Sequence, residues 1–164
     1  MASQNFDAAL RRCGHDGRVT NVAAGLRPPA DWEMTVTRPV KTVLIVDDDG
    51  PSRTVLSIVC GSRGHTVIEA ASGADALAIA TSRRPDLILL DVSLPDMSGL
   101  EVCTRVREAG LDTPIVMLSG HADPADVSRG LRLGADEYLT KPFELRELVA
   151  RMDRHLRWES WQAA

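Results

Sequence analysis

The chain has 164 residues, 44% of them apolar and only 4% aromatic, which suits one domain with an aliphatic core and some excess length. Its 19 basic and 23 acidic residues leave a formal charge of −4, which argues against nucleic-acid binding through bulk charge. No apolar stretch approaches membrane-spanning length, and the N-terminus lacks the basic and apolar regions of a signal peptide. The three cysteines, Cys13, Cys60 and Cys103, have no metal-ligand spacing. Cys60 and Cys103 fall in helical patterns and are expected as buried thiols in a reducing, cytoplasmic setting.

Residues 1–39 are punctuated by Gly14, Gly17, Gly25, Pro28, Pro29 and Pro39 with no sustained period. They read as a flexible extension with a short helix near Asp7–Cys13. Met34 stands just before the first strand and is an alternative start. From Thr42 onward, apolar runs alternate with amphipathic stretches. Strands are expected over 42–46, 66–70, 86–90, 114–118 and 137–140. Helices are expected over 51–62, 73–82, 98–109, 123–133 and 144–157. Pro51 sits at the start of the first helix, and Gly110 and Gly134 where helices end. In the last helix Leu145, Leu148, Val149, Met152 and Leu156 share one apolar face. The runs at 43–46, 87–90 and 115–118 are continuously apolar, as parallel strands covered on both faces require. Five strands alternating with five helices give a doubly wound α/β domain over 40–158, followed by a tail at 159–164.

Polar residues stand at four strand ends. Val43-Leu44-Ile45-Val46 runs into Asp47-Asp48-Asp49, Leu87-Ile88-Leu89-Leu90 into Asp91, Ile115-Val116-Met117-Leu118 into Ser119, and Tyr138-Leu139-Thr140 into Lys141-Pro142. In open α/β sheets the site lies beyond these carboxyl ends. Adjacent carboxylates repel, and burying them unpaired costs several kcal/mol, roughly, so the acids call for a cation.

Residues 41–157 resemble the receiver domain of bacterial two-component response regulators. The resemblance is carried by Val43 to Asp49, by Asp86-Leu87-Ile88-Leu89-Leu90-Asp91-Val92-Ser93-Leu94-Pro95-Asp96-Met97-Ser98-Gly99, by Met117-Leu118-Ser119-Gly120, and by Gly134-Ala135-Asp136-Glu137-Tyr138-Leu139-Thr140-Lys141-Pro142-Phe143. It implies a (βα)5 fold, a flavodoxin-like parallel sheet of order 2-1-3-4-5. It implies that Asp91 is the phosphoacceptor, served by a sensor histidine kinase or phosphotransfer protein. Asp47, Asp48, Asp91 and the backbone carbonyl of Ser93 would hold Mg²⁺. Lys141 and Ser119 would bind the phosphoryl group, and a cis bond is expected at Lys141-Pro142. Ser119 and Tyr138 would form the switch that alters the surface of helix four, strand five and helix five. Glu137 and Arg151 stand where one branch of the family pairs an acid with a base across a phosphorylation-driven dimer, although Val127 replaces that branch's base on helix four. His121 and Ser93 occupy positions that tune the lifetime of the phosphorylated state. Asp49 is expected as a solvated loop or first-turn acid.

The resemblance implies no enzyme beyond weak self-phosphorylation and self-dephosphorylation; charge and the lack of a long apolar stretch lead us to expect no contact of this chain itself with nucleic acid or membrane. After the last helix only Arg157 to Ala164 remain, with Trp158 and Trp161 as partner anchors or a frayed helix end. The chain is then a stand-alone receiver or the receiver fragment of a DNA-binding transcriptional regulator. A receiver that binds partners without phosphorylation is a weaker alternative. A rival from another class is a haloacid-dehalogenase-like phosphatase, with Asp47 as nucleophile and Asp49 as general acid/base. Pro51 leads straight into a helix, which leaves no room for the flap such enzymes need.

Overall fold

Branched aliphatic side chains suit a pleated strand covered on both sides, and three of the strands consist of little else. The computed structural model describes residues 40–120 and 123–156. The elements run β1 (Thr42–Val46), α1 (Gly50–Ser62), β2 (Thr66–Ala70), α2 (Gly73–Arg83), β3 (Leu87–Asp91), α3 (Gly99–Glu108), β4 (Ile115–Ser119), α4 (Pro124–Arg132), β5 (Glu137–Thr140) and α5 (Leu145–His155). All strand pairs are parallel, in the order β2-β1-β3-β4-β5. The expected fold class and strand order are therefore the observed ones.

Strand side chains alternate between faces, so each central strand feeds two cores. Leu44, Val46, Ile88, Leu90, Ile115 and Met117 pack with Ala76 and Ala80 of α2 and Val102, Cys103 and Val106 of α3. Val43, Ile45, Leu87, Leu89, Val116 and Leu118 pack with Leu56 and Cys60 of α1 and Leu148, Met152 and Leu156 of α5. Burial pushes the Cys60 thiol up to about 11 and raises that of Cys103, with Arg63 and Arg107 respectively opposing; both are inert core thiols.

Helix starts follow local chemistry. Asp49, Ser72, Ser98 and Asp123 each accept a backbone N–H of the first turn of α1, α2, α3 and α4. β3 and β4 extend one residue beyond their apolar runs, because Asp91 pairs with Leu118 and Ser119 with Thr140. Among the described residues, no helix is long and apolar enough to cross a membrane. The short helix near Asp7–Cys13, Met34, His121, and Trp158 and Trp161 lie outside the described residues.

Candidate functional site

The carboxyl ends of β1, β3, β4 and β5 converge, and the order of the sheet brings together residues as far apart as Asp47 and Lys141. Asp47 follows β1 directly; its N–H donates to the Ala70 carbonyl at 3.2 Å, extending the ladder one residue past the strand. Its side chain is fully buried. The chain then turns sharply. Asp47 Oδ1 accepts the Asp49 N–H at 2.9 Å, and Asp49 Oδ2 accepts the Ser52 N–H at 2.8 Å. Asp49 is thus the cap of α1, as its expected first-turn place allowed. Asp48 is exposed.

Asp91 closes β3, and its Oδ1 accepts the Ser93 N–H at 2.8 Å. The loop behind it is folded tightly. Ser93 bridges to Ser98, and the Gly99 N–H donates to the Val92 carbonyl at 2.8 Å. A Cβ on Gly99 would stand 2.1 Å from the Asp91 carbonyl oxygen, so only glycine fits there. Further along this loop, the Asp96 carboxylate accepts the Gly73 and Ala74 N–H groups at 2.8 and 2.9 Å, tying the loop to the start of α2.

Ser119 ends β4 and is buried; its carbonyl accepts the Lys141 N–H at 2.7 Å. Lys141-Pro142 is cis. Lys141 Nζ donates to Asp47 Oδ2 at 2.8 Å and also to Asp91 Oδ2. Burial works against the Lys141 ammonium, but its two carboxylate partners outweigh burial and raise its pKa. Burial likewise opposes the Asp47 carboxylate, and the bonds from Lys141 and the Asp49 N–H win, holding its pKa below the usual range.

Asp47, Asp48 and Asp91 each offer a carboxylate oxygen, and these atoms lie within 4.8 Å of one another. Three hard oxygen donors open to solvent on one side, through Asp48, fit a small divalent cation such as Mg²⁺, which keeps several waters. Of the expected site residues, the carboxylates of Asp47, Asp48 and Asp91 and the Lys141 ammonium come together, with the Ser93 N–H on Asp91 and the Ser119 carbonyl on the Lys141 N–H.

The expected switch and dimer residues lie to one side. Tyr138, on β5 opposite Met117, is half-buried with its ring against Gly130 of α4; a Cβ there would stand 3.2 Å from the ring. Glu137 is buried and accepts from Arg151 at 2.6 Å and Arg154 at 3.0 Å, with His155 Nε2 at 2.9 Å. The Glu137–Arg151 pair expected across a dimer is here closed within one chain, because both residues face each other across the β5–α5 packing.

Three contributors escaped sequence reasoning. Arg53 in the first turn of α1 donates to the Asp47 carbonyl at 2.6 Å. Asp96 and Gly99 were legible only as part of a turn. A glycine directly after a capping serine, eight residues past a strand-end acid, is the one signal that could have marked Gly99.

A family model described as the response regulator receiver domain matches residues 43–153. The chain belongs to that family. The phosphate regulon transcriptional regulatory protein PhoB of Pseudomonas aeruginosa is 44% identical to this receiver over 119 residues, covering 71% of this chain and 52% of that protein. The alkaline phosphatase synthesis transcriptional regulatory protein PhoP of Bacillus subtilis is 44% identical over 117 residues, covering 71% of this chain and 49% of that protein. The chain thus spans about half the length of the curated relatives it matches. Among solved structures, a putative response regulator from Chloroflexus aurantiacus superimposes with a TM-score of 0.68 at 40% identity, covering 73% of this chain and 99% of that one.

Proposed function

We propose that the receiver takes a phosphoryl group onto Asp91 from a phosphohistidine of a sensor histidine kinase or phosphotransfer protein. The observation that supports this most is the position of Asp91, buried at the end of β3 within reach of the acid pair and bonded to the Lys141 ammonium that also holds Asp47. A carboxylate oxygen of Asp91 bonds to phosphorus in line as the P–N bond breaks, and the imidazole nitrogen keeps the electron pair. The product is an acyl phosphate. Lys141 supplies positive charge to the phosphoryl oxygens, and the Ser119 hydroxyl donates to one of them. Asp47, Asp48, Asp91 and the Ser93 carbonyl would hold Mg²⁺, which would neutralise charge on the transferring oxygens. Weak self-phosphorylation and self-dephosphorylation follow from the same geometry.

Charge added at Asp91 must bias a second element to signal. Ser119 moving toward the phosphoryl group, with Tyr138 turning into the space it leaves, would change the α4–β5–α5 surface and promote a homodimer. Next to Lys141, an open groove of about 420 Å³ is lined in part by Asp49, Val55, Phe143 and Leu145, and Ile58 is exposed one turn along α1. An apolar helix face of the phosphodonor suits this groove. A second reading extends the first. The curated relatives are named as transcriptional regulators and are about twice as long, which favours this chain as the receiver half of a cytoplasmic DNA-binding regulator.

Intact mass measured after incubation with acetyl phosphate and Mg²⁺ is the test. One added phosphoryl group is expected, and none in Asp91→Ala. No adduct from acetyl phosphate or from any phosphohistidine donor would refute the reading.

A further inference from the structure

We infer that Arg53 is a positioning residue for the cation site, holding the acid pair through the backbone of Asp47. The inference rests on the Mg²⁺ reading of the acid cluster. Asp47 sits just past the end of β1, where its N–H still finds β2 but its carbonyl points beyond the ladder. Arg53 Nη1 takes that carbonyl at 2.6 Å, a charge-assisted bond. The guanidinium is itself oriented from behind: Arg53 Nε lies 3.5 Å from Glu69 Oε2 on β2, and Glu69 Oε1 accepts from Ser57 Oγ at 2.5 Å. The chain from Ser57 through Glu69 and Arg53 to Asp47 therefore ties α1 and β2 to the peptide that joins the two metal-facing acids.

The consequence is geometric. Asp47 and Asp48 are adjacent, so their carboxylates keep a common orientation only if the peptide between them is fixed. The other ties in the turn come from Asp49, through its N–H to Asp47 and its carboxylate to Ser52. Arg53 adds an anchor on the carbonyl side of that peptide, and its own N–H bonds back to the Asp49 carbonyl at 3.0 Å. Outer partners that orient metal-facing ligands commonly matter by roughly tenfold or more in affinity.

Charge alone argues the opposite way, which makes the role testable. A guanidinium on the Asp47 carbonyl adds positive charge near the acid cluster and lowers its pull on a second cation. Removing it as mere charge would tighten Mg²⁺ binding; removing it as a clamp would weaken it. The experiment titrates Mg²⁺ calorimetrically into the full chain and into Arg53→Met, Arg53→Lys and Glu69→Gln. Affinity is expected to fall about tenfold in Arg53→Met and Arg53→Lys, and less in Glu69→Gln. Amide exchange in the metal-free proteins supplies the second readout. The Asp49 N–H, which reports the Asp47 turn, should exchange faster in Arg53→Met, while β3 amides keep their protection. Unchanged or tighter Mg²⁺ binding in Arg53→Met, or an unchanged Asp49 rate, would overturn the clamp. Faster exchange at β3 as well would mark general loosening and also overturn it. A wild-type chain that takes up no Mg²⁺ would instead remove the metal reading, leaving Asp49 exchange to decide whether Arg53 holds the turn.

Discussion

Adding one methyl group at Gly99 should disturb both the stability of the domain and the acid it supports. The Cβ of an alanine there would lie 2.1 Å from the Asp91 carbonyl oxygen and 2.9 Å from Asp91 C and Val92 Cα. All three are backbone atoms, so no side chain can rotate aside. A close carbon–oxygen contact needs about 3.3 Å, so the two segments must part by more than about 1 Å. The Gly99 N–H to Val92 carbonyl bond, at 2.8 Å, ties those same segments and would stretch or break. Overpacking costs about 1–3 kcal/mol and a lost hydrogen bond about 1 kcal/mol, so a loss near 3 kcal/mol is expected. Because the strained atom belongs to Asp91, acceptance of a phosphoryl group from acetyl phosphate should slow as well. Gly61→Ala is the control. It lies in α1 with nothing within 4 Å of its added Cβ, so it should stabilise by about 0.5 kcal/mol. Urea unfolding measures both, with the midpoint moving and the slope constant. A Gly99→Ala chain within about 0.5 kcal/mol of wild type, and phosphorylated at the same rate, would refute the steric argument.

Three further outcomes are expected. The Arg107 guanidinium donates to the carbonyls of Leu111, Thr113 and Gly134 at 2.7, 2.9 and 2.9 Å and to Asp136 at 2.9 Å. Arg107→Met should therefore lower the urea stability by about 2–3 kcal/mol, and a loss under about 0.5 kcal/mol would contradict the count of partners. Burial opposes the Glu137 carboxylate, but Arg151 and His155 outweigh it and hold its pKa below the ordinary range. A depressed folded pKa gives stability that is present above the unfolded value of about 4.3 and lost as pH falls through the folded one. The stability gap between wild type and Glu137→Gln should thus be full at pH 5 and shrink toward pH 3; a gap that stays constant would count against the ion cluster. Cys60 and Cys103 should resist a thiol reagent at pH 8 in the native chain and react on unfolding, which a thiol titration with and without denaturant checks.

The strands were legible because a sheet covered on both faces leaves an unbroken apolar run, as at Val43–Val46 and Leu87–Leu90. Their ends were legible only to within a residue. Hydropathy falls at Asp91 and Ser119, yet hydrogen bonding continues there, so these two residues belong to the strands. That placement matters, since a ladder residue is held more firmly than a loop residue. The order of acid pair, acid, hydroxyl and lysine was readable because each stands at a strand end, and parallel topology gathers strand ends on one edge. Arg53 was not readable. It is one polar position among several on an amphipathic helix, and no local spacing shows that it reaches back to the Asp47 carbonyl. Glu137 lay between these cases. It shares a face with the buried Leu139 on β5, and Arg151, Arg154 and His155 follow the i, i+3, i+4 spacing of one helix face. The resemblance paired Glu137 with Arg151 across a dimer, and nothing in the sequence reading brought in Arg154 or His155 from the same helix.

The segment Asp47-Asp48-Asp49-Gly50 spells two chemistries, and what Asp49 does separates them. A phosphatase of the haloacid-dehalogenase type needs Asp49 to face the phosphoryl group held on Asp47 and protonate the leaving oxygen. Here Asp49 is turned the other way, its Oδ2 accepting the Ser52 N–H at 2.8 Å as the cap of α1. The helix opens at Gly50, immediately after it, so no hairpin flap separates the acid from the helix. Releasing Asp49 for proton transfer would uncap α1, at about 1 kcal/mol. Access points the same way: the Asp47 side chain keeps 1% of its surface and that of Asp91 keeps 9%. Asp47, the nucleophile that such a phosphatase needs, is thus the less accessible of the two. The geometry therefore argues against the phosphatase reading, with Asp49 occupied by the helix and Asp47 closed to solvent.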